Sequence, residues 1–322
     1  MKYAFGAYGT NNLGDDAIFE GMCQKLGPVK QIYINKPSVP SSVWYADLLL
    51  GNESFDPGAE ELIIGGGGLF HCKDAIIDYI RMTDLAIQSG MSVSIQGLGT
   101  EGMTSEYEEE VKLLCKRCQF VSVRSRQSQR ILQRLGIIST VHKDFAYNLK
   151  SDASTNIALV EFDNDLPIIG LVTGGNADGE AIKKIAEVIN LCTIDEISCN
   201  FLHIPHSKSY TNSFNNDCVT GEILWSSVEI YHSNRENQYK TFRFVKSPQE
   251  LLSVYIQLDA VIGARYHSFI FSEITNKPML GLVSGSKSKA YFEERPELNN
   301  IDFDLSVEEI LYAVRQLIIR VL

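Results

Sequence analysis

The strongest constraint on this chain is an alternation of short apolar runs with longer segments of helical periodicity. The runs predicted as strands lie at residues 3–8, 31–35, 61–64, 91–96, 120–124, 168–172, 196–203, 260–263 and 279–283. Most are separated by segments whose apolar residues recur every three or four positions, as in a helix. Consecutive parallel strands need such crossovers, because a short turn joins only antiparallel neighbours. The sequence therefore predicts an α/β fold of doubly wound parallel sheets covered by helices on both faces.

The alternation stops once, in a polar stretch between residues 150 and 167, and then resumes. A chain of 322 residues is long enough for two domains of ordinary size. We therefore predict an N-terminal α/β domain over residues 1–155 and a C-terminal α/β domain over residues 156–322. Open α/β sheets bind ligands beyond the carboxyl ends of their strands, and paired domains often bind them in the cleft between. The residues that directly follow strands are therefore the candidates for function.

Charge and composition exclude several classes of protein. The 40 acidic residues outnumber the 29 basic ones, for a formal charge of −11, whereas a general nucleic-acid-binding protein needs a basic surface. An anionic ligand would have to be held by a few local cations. No apolar run approaches the length of a membrane span, no export signal is evident, and the seven cysteines are scattered, as reduced thiols are. We expect a cytoplasmic protein that binds no nucleic acid.

Two glycine-containing segments follow predicted strands. Asn12, Gly14 and Asp15 lead into a helix, where they serve either as a helix cap or as part of a ligand-binding loop. Four successive glycines at residues 65–68 cost chain entropy, which favours close approach of a ligand to Gly67 and Gly68 over a simple surface turn.

No resident cofactor or metal is expected. Gly97, Gly99 and Gly102 match the spacing of a dinucleotide-binding loop, but Glu101 and the acidic helix that follows would repel a pyrophosphate. The strand that should end in a ribose-binding acid is followed instead by Arg124. The histidines and cysteines form no set with the spacing of a zinc site.

Cations follow strands in both predicted domains. Arg124 ends one strand and Arg265 follows another, and a guanidinium in such a place suits bidentate capture of carboxylate or phosphate. Lys287 lies in a segment at residues 284–289 that we predict as a cationic loop suited to phosphate contact, or else a solvated turn. His267, two residues after Arg265, is placed for general acid–base catalysis or for packing at a helix start.

The segments that carry these candidates have a characteristic order. They are GAYGTNNLGDDAI at residues 6–18, GGGL at 66–69, SVRS at 122–125, DFAY at 144–147, RYHS at 265–268, PMLG at 278–281 and SGSK at 284–287. Their order and spacing resemble the polysaccharide pyruvyl transferase family over residues 3–295. The chain departs from the family pattern at Ser125, where an acid is frequent, at Phe145, which replaces a proline, and at Ser284-Gly285, which replace Tyr-Asp.

The resemblance implies two glycosyltransferase-B-like domains facing a cleft. It implies phosphoenolpyruvate as the donor and a free or lipid-linked glycan as the acceptor, with a pyruvate ketal on a cell-surface or exopolysaccharide precursor as the product. Peripheral association with a membrane-bound glycan assembly would follow. The residues then divide into three sets: His267, Arg265 and Asp15 for catalysis; Arg124, Arg265, Lys287, Gly67 and Gly68 for the donor; Asn12 and Asp144 for the acceptor.

Two other functions remain open. One is a nucleotide-sugar-dependent glycosyltransferase of the same architecture, in which Glu273 would bind the ribose. The other is a catalytically inactive protein that binds a sugar or an anion. The donor that raises the melting temperature distinguishes the first from the pyruvyl transferase.

Overall fold

The computed structural model describes residues 1–34, 43–151, 155, 157–162, 165–174, 179–194, 199–209, 216–229 and 239–322. The chain divides into two compact units. The first contains Met1–Thr10 and Asp15–Leu149, and the second contains Asn11–Gly14 and Lys150–Leu322. In the described part of the chain, no helix is both long and apolar enough to cross a bilayer.

The first unit is built on a seven-stranded parallel sheet. Its strands are β1 (Lys2–Phe5), β2 (Val29–Tyr33), β3 (Val43–Trp44), β4 (Glu61–Gly67), β5 (Ser92–Leu98), β6 (Phe120–Val123) and β7 (Thr140–Val141). The helices met along this part of the chain are α1 (Leu13–Leu26), α2 (Tyr45–Leu50), α3 (Lys73–Gln88), α4 (Glu108–Arg117) and α5 (Arg126–Arg134). The strand order is β3-β2-β1-β4-β5-β6-β7. Buried Phe5, Ile64 and Ile95 lie in its hydrophobic core.

The second unit has a six-stranded parallel sheet. Its strands are β8 (Ile168–Val172), β9 (Asn200–His203), β10 (Tyr239–Thr241), β11 (Ala260–Gly263), β12 (Met279–Val283) and β13 (Asn300–Asp302). Its helices are α6 (Gly179–Ile194), α7 (Asp217–Glu229), α8 (Pro248–Ile256), α9 (Tyr266–Ile274), α10 (Ser286–Glu293) and α11 (Val307–Ile319). The last helix begins in a capping box, because Ser306 Oγ accepts the N–H of Glu309 at 3.3 Å and the Glu309 carboxylate accepts the N–H of Ser306 at 3.0 Å.

Both sheets reverse their strand order at one point. The reversal lies between β1 and β4 in the first sheet, and between β8 and β11 in the second, whose order is β10-β9-β8-β11-β12-β13. Crossover helices diverge at such a reversal and leave a crevice at the carboxyl ends of the two strands, where open α/β sheets bind ligands. The predicted α/β class with parallel sheets is confirmed.

Several boundaries differ from the predictions. The segment at residues 284–289 is not a loop throughout, because α10 begins at Ser286 and places Lys287 in its first turn. Helix α7 was not predicted, since it has little amphipathic periodicity. Parts of three predicted features lie outside the described residues. They are residues 196–198 of the strand at 196–203, residue 35 of the strand at 31–35, and residues 152–154, 156 and 163–164 of the polar stretch.

Candidate functional site

An ion pair lies just beyond the carboxyl end of β11, in the second unit. The Arg265 guanidinium donates from Nε to Asp217 Oδ2 at 2.7 Å and from Nη2 to Asp217 Oδ1 at 2.5 Å. The Asp217 side chain is fully buried, whereas that of Arg265 is 17% exposed. This is a bidentate fork that fixes the plane of the guanidinium, and Nη1 lies outside the fork. The pair therefore holds a cation at the strand end with one edge directed away from its carboxylate.

Asp217 also holds the segment that follows β9. Its Oδ2 accepts the backbone N–H of His206 at 2.9 Å and that of Ser207 at 3.0 Å. The same segment binds Asn11–Gly14, because the His206 carbonyl accepts the N–H of Leu13 at 2.9 Å and Asn12 forms an antiparallel bridge with Ser207. Asp217 therefore holds Arg265 and also the backbone of His206 and Ser207, to which the Asn11–Gly14 segment is hydrogen-bonded.

His267 lies in the first turn of α9 and packs against Gly14. Its side chain is buried, and a Cβ added to Gly14 would lie 2.1 Å from His267 Nδ1. Only glycine permits this approach. Asn12 adopts the role of a local cap, since its Oδ1 accepts the N–H of Gly14 at 3.2 Å. The structure thus brings Arg265, His267, Asn12 and Gly14 together in one unit.

Two further histidines lie beneath this group. His203 Nε2 is 2.9 Å from Thr173 Oγ1, and His206 Nε2 is 2.8 Å from the Tyr255 hydroxyl. Burial lowers the pKa of His203 to about 4, with Asp217 opposing the shift and Arg265 adding to it. Burial also lowers the pKa of His206 well below its usual range, and the neighbouring cation Arg265 contributes. Both rings are therefore neutral at pH 7 and structural in character. Among the described residues, no three His, Cys, Asp or Glu side chains are placed to hold a metal ion.

A cleft of about 570 Å³ opens in the second unit at the carboxyl ends of its central strands. It is lined by Gly174, Glu180, Ala181, Lys184, Ile185, Ala264, Val283, Ser284, Gly285, Ser286, Lys289, Asp302, Phe303 and Asp304. Gly174 and Ala264 follow β8 and β11, so the cleft lies at the reversal of strand order. Lys184 and Lys289 line this cleft but are not among the predicted donor residues, whereas the predicted Lys287 is exposed and is not one of the lining residues.

Arg124, the other predicted donor-binding arginine, is enclosed within the first unit. Its Nη1 is 3.3 Å from Asp144 Oδ2, its Nη2 is 3.4 Å from Glu101 Oε2, and its side chain is only 2% exposed. Burial raises the pKa of Glu101, but Arg124 and the hydroxyls of Ser125 and Ser128 outweigh that effect and lower it overall. A guanidinium already surrounded by two carboxylates has the environment of a structural ion pair. The donor role of Arg124 and the acceptor role of Asp144 stay predictions that these contacts do not favour.

Packing explains most of the glycine run in β4. A Cβ on Gly65 would lie 2.2 Å from the Gln96 carbonyl oxygen, one on Gly66 would lie 2.0 Å from Ile18 Cγ2, and Gly66 and Gly67 have positive φ angles of 76° and 81°. Gly68 follows the strand and is half-buried. The sequence favours close approach of a ligand to this run. In the structure, the absence of side chains at Gly65 and Gly66 instead allows β4 to pack closely against β5 and α1.

Asp15 and Asp16 begin the part of α1 that belongs to the first unit. A Cβ on Gly67 would lie 3.0 Å from Asp15 Oδ1, which places the carboxylate against the glycine strand. Asp16 Oδ1 accepts the N–H of Gly9 at 2.7 Å. Burial raises the pKa of Asp16 to about 6, the bond from Gly9 opposing it and Asp15 adding to it.

Glu273, the residue considered for a ribose contact, is engaged within the second unit. Its Oε2 accepts the Tyr291 hydroxyl and lies 3.4 Å from Arg295 Nε. These contacts stabilise the packing of α9 against α10.

Comparison with solved structures shows the fold. The chain is similar to a putative UDP-N-acetylglucosamine 2-epimerase from Listeria monocytogenes, with 10% identity, a TM-score of 0.61 and coverage of 98% of this chain and 86% of that one. It is similar to the UDP-GlcNAc 2-epimerase from Methanocaldococcus jannaschii, with 14% identity, a TM-score of 0.61 and coverage of 98% and 92%. For the E. coli ADP-heptose LPS heptosyltransferase II, the values are 9% identity, a TM-score of 0.51 and coverage of 99% of both chains.

None of the curated proteins matches the chain. The chain does match the sequence pattern of a protein family. Polysaccharide pyruvyl transferase matches residues 12–286, which include the Asn12–Gly14 segment, Asp217, Arg265 and His267, and the chain therefore belongs to the polysaccharide pyruvyl transferase family.

Proposed function

We propose that the protein transfers the pyruvyl group of phosphoenolpyruvate to two hydroxyls of a sugar, forming a pyruvate ketal on a cell-surface or exopolysaccharide precursor. The observation that carries the proposal is the Arg265–Asp217 fork with His267 two residues further on, in the first turn of α9 and in the same unit. Ala264, the residue before Arg265, lines the cleft at the reversal of strand order, so the fork follows directly in the chain from the cleft wall.

The donor is a small molecule with a carboxylate and a phosphate, and the site has cations for both groups. Arg265 offers the edge of its guanidinium that Asp217 leaves outside the fork. Lys184 and Lys289 line the cleft, whose volume falls in the range of small-molecule sites. Because the whole chain carries a formal charge of −11, such local cations are what can retain a carboxylate and a phosphate. We assign Arg265 to the donor carboxylate and leave buried Arg124 out of the proposed donor site.

The same cleft has acceptors for a sugar. Glu180, Asp302 and Asp304 line it together with the lysines, and carboxylates accept hydrogen bonds from hydroxyl groups. Asn12 and Asp15 keep the acceptor and catalytic roles that the family motif implies for them. The acceptor is a free or lipid-linked glycan, and the reaction takes place in the cytoplasm, where phosphoenolpyruvate is made. None of the seven cysteines forms a disulfide.

The reaction needs one proton delivered and two removed. A proton added to the methylene carbon of the donor makes the adjacent carbon electrophilic, and a sugar hydroxyl then adds to that carbon with loss of its own proton. Cleavage of the bond from this carbon to the bridging oxygen releases phosphate, and the second hydroxyl adds in its place with loss of its proton. One of the two hydroxyl protons replaces the proton given to the methylene carbon, and the other leaves on the phosphate. In this scheme His267 exchanges the protons, Arg265 holds the carboxylate, and Asp217 positions Arg265.

Ligand-dependent melting tests the donor, and phosphate release tests the reaction. We expect phosphoenolpyruvate to raise the melting temperature and UDP-N-acetylglucosamine to leave it unchanged, because only a ligand bound by the folded state stabilises it. Phosphate should be released from phosphoenolpyruvate only when a suitable glycan is present. Stabilisation by the nucleotide sugar alone would instead support a glycosyltransferase, and stabilisation by phosphoenolpyruvate with no release across a broad glycan panel would indicate an inactive binding protein.

A further inference from the structure

The His267 side chain contacts both a backbone segment and an aromatic ring. A Cβ added to Gly14 would lie 2.1 Å from His267 Nδ1 and 2.5 Å from its Cγ, so the Gly14 backbone packs directly against the imidazole. The ring of Tyr266, the preceding residue, also contacts it, with ring centroids 5.3 Å apart and planes at 87°. Successive residues of a helix do not face each other, so a further group must keep Tyr266 turned towards His267.

Tyr291 of α10 is that group. Its ring centroid lies 5.4 Å from that of Tyr266, and the two planes meet at 81°. Perpendicular arrangements at this separation are favoured for aromatic pairs. Tyr266 is partly exposed, whereas Tyr291 is buried. The Tyr266 ring is therefore held between His267 and a buried ring that belongs to another helix.

Tyr291 is itself anchored at three points. Its hydroxyl donates to Glu273 Oε2, and the Arg295 guanidinium carbon lies 4.2 Å from the centre of its ring. Arg295 Nη1 also donates to the Tyr291 carbonyl oxygen at 3.4 Å, and Arg295 Nε lies 3.4 Å from Glu273 Oε2. Glu273 lies in the last turn of α9 and His267 in the first. These contacts therefore fix the Tyr291 ring relative to the helix that carries His267.

The helix that carries Tyr291 also borders the cleft. Ser286 and Lys289 of α10 line it, and Tyr291 lies two residues beyond Lys289 on the buried side of the same helix. A movement of α10 at the cleft wall would therefore displace the ring that supports Tyr266. The position of α10 beside a ligand and the orientation of the imidazole are set by the same packing.

We infer that Tyr291 is a positioning residue, which acts through the ring of Tyr266 to fix the orientation of the His267 imidazole. A proton is exchanged efficiently only when the imidazole nitrogen lies within hydrogen-bond reach of the reacting atom, and a displacement of about 1 Å can reduce a rate on the order of 10²-fold. The inference rests on the proposed role of His267 in catalysis. It adds two tyrosines, neither of which needs to contact a substrate, to the residues on which that role depends.

Histidine NMR tests the orientation independently of the reaction. The chain has six histidines, and the signal lost in His267→Gln identifies the Hε1 resonance of His267. Tyr291→Leu should move that resonance, whereas the resonance of His142, which is exposed in the first unit, should stay in place. In a Tyr266→Leu background the same change should move it no further, because the ring through which Tyr291 acts is gone.

Two further variants separate positioning from a general loss of packing. Glu273→Ala removes the partner of the Tyr291 hydroxyl at a partly exposed position, and it should move the resonance in the same direction as Tyr291→Leu. It decides the NMR test if Tyr291→Leu does not fold. Phe269→Leu is the matched control, since it removes a buried ring that packs on Tyr291 and Phe292. It should lower the melting temperature but leave the His267 resonance close to its wild-type position, because the other anchors of Tyr291 remain.

Kinetics measure the consequence for the reaction. Tyr291→Leu should lower kcat for phosphate release from phosphoenolpyruvate about 10–100-fold. It should leave KM for the donor within about twofold of the wild type, because Arg265 and the cleft lysines are unchanged. The inference is overturned if Tyr291→Leu and Glu273→Ala leave the His267 resonance in place. It is also overturned if Phe269→Leu moves that resonance as far, or if Tyr291→Leu raises KM and keeps kcat. A wild-type protein that releases no phosphate would contradict the proposed function instead, and the NMR comparison would still decide whether Tyr291 orients His267.

Discussion

Arg124 and Arg265 have the same appearance in the sequence and very different surroundings in the structure. Each follows a strand, and each is held by carboxylates from distant parts of the chain. Arg124 is 2% exposed and lies between two carboxylates, whereas Arg265 is 17% exposed and, among the described residues, pairs with the single carboxylate of Asp217. Two carboxylates leave the first cluster with a net negative charge, which repels an anion. One carboxylate leaves the second pair neutral, with an edge of the guanidinium still exposed.

The difference follows from where each strand lies in its sheet. β11 pairs directly with β8 at the reversal of strand order, so the residues after it line a crevice. β6 lies two strands away from the reversal between β1 and β4, where no crevice is expected. An arginine after a strand is therefore a ligand-binding candidate only when the strand borders the reversal.

The largest effect is expected at His267. His267→Gln should reduce pyruvyl transfer by about 10²–10⁴-fold, because glutamine keeps the size and hydrogen bonds but cannot exchange a proton near neutral pH. Donor affinity measured by calorimetry should be unchanged. His142→Gln, which alters an exposed histidine of the first unit, is the matched control and should keep full activity. Near-normal turnover by a folded His267→Gln protein would show that this residue only packs against Gly14.

Removal of the first-unit arginine should affect stability rather than binding. Arg124→Gln leaves Glu101 and Asp144 as buried carboxylates without their cation, which should cost about 3–5 kcal/mol of unfolding free energy. Denaturant unfolding measures it, with Arg130→Gln, an exposed change on the next helix, expected within about 0.5 kcal/mol of the wild type. At temperatures where the variant is folded, its affinity for phosphoenolpyruvate should match the wild type. A selective loss of donor affinity would restore Arg124 to the donor site.

The strands and helices could be predicted well because their signals are local. The strands Ile168–Val172, Ala260–Gly263 and Met279–Val283 have the predicted limits, since each is a short apolar run ending at a polar or small residue. Asp217 could not be assigned a role, because it lies 48 residues before Arg265 at the start of a helix with weak periodicity. Nothing near Arg265 in the sequence indicates which acid will pair with it.

The glycines show the same limit of prediction from local sequence, now for the candidate site. A run of four glycines indicates only that side chains are excluded there. Whether a ligand or the protein itself occupies the space depends on tertiary contacts, here Ile18 against Gly66 and the Gln96 carbonyl against Gly65. The sequence predicts a helix cap or a ligand-binding loop at Gly14, whereas the structure shows that the absence of a Cβ there makes room for His267.

The two units should also differ in their response to acid. His203 takes up a proton near pH 6.5 when unfolded but only near pH 4 in the folded second unit. Its neutral form therefore contributes about 3 kcal/mol of stability above pH 6.5, which is lost as the pH falls toward 4. In the first unit the ionised Glu101, whose pKa is lowered from 4.5, loses its contribution only below that pH. The second unit should therefore unfold first on acidification.

Tryptophan fluorescence can follow the second unit separately. The chain has two tryptophans, and Trp225 lies in α7, so a Trp44→Phe variant makes Trp225 the reporter. Its unfolding free energy should fall between pH 6.5 and 4, and His203→Asn in the same background should flatten that slope. Equal slopes with and without His203 would show that this histidine is not the buried group that titrates.

The smallest effect is expected at the second-unit arginine when its charge is kept. Arg265→Lys should weaken phosphoenolpyruvate binding by about 1.5–3 kcal/mol, because an ammonium cannot hold Asp217 through a fork and present a further planar donor edge to a carboxylate. The titration is done by calorimetry in the presence of a chelator, where the wild type should bind unchanged, since we propose no metal in donor binding. Arg124→Lys is the matched change in the first unit, and it should leave donor affinity unaltered because that cluster is sealed by two carboxylates. Wild-type affinity in Arg265→Lys would mean that Arg265 serves only Asp217 and the segment bound to it, and the distinction between the two arginines would then be one of burial and not of function.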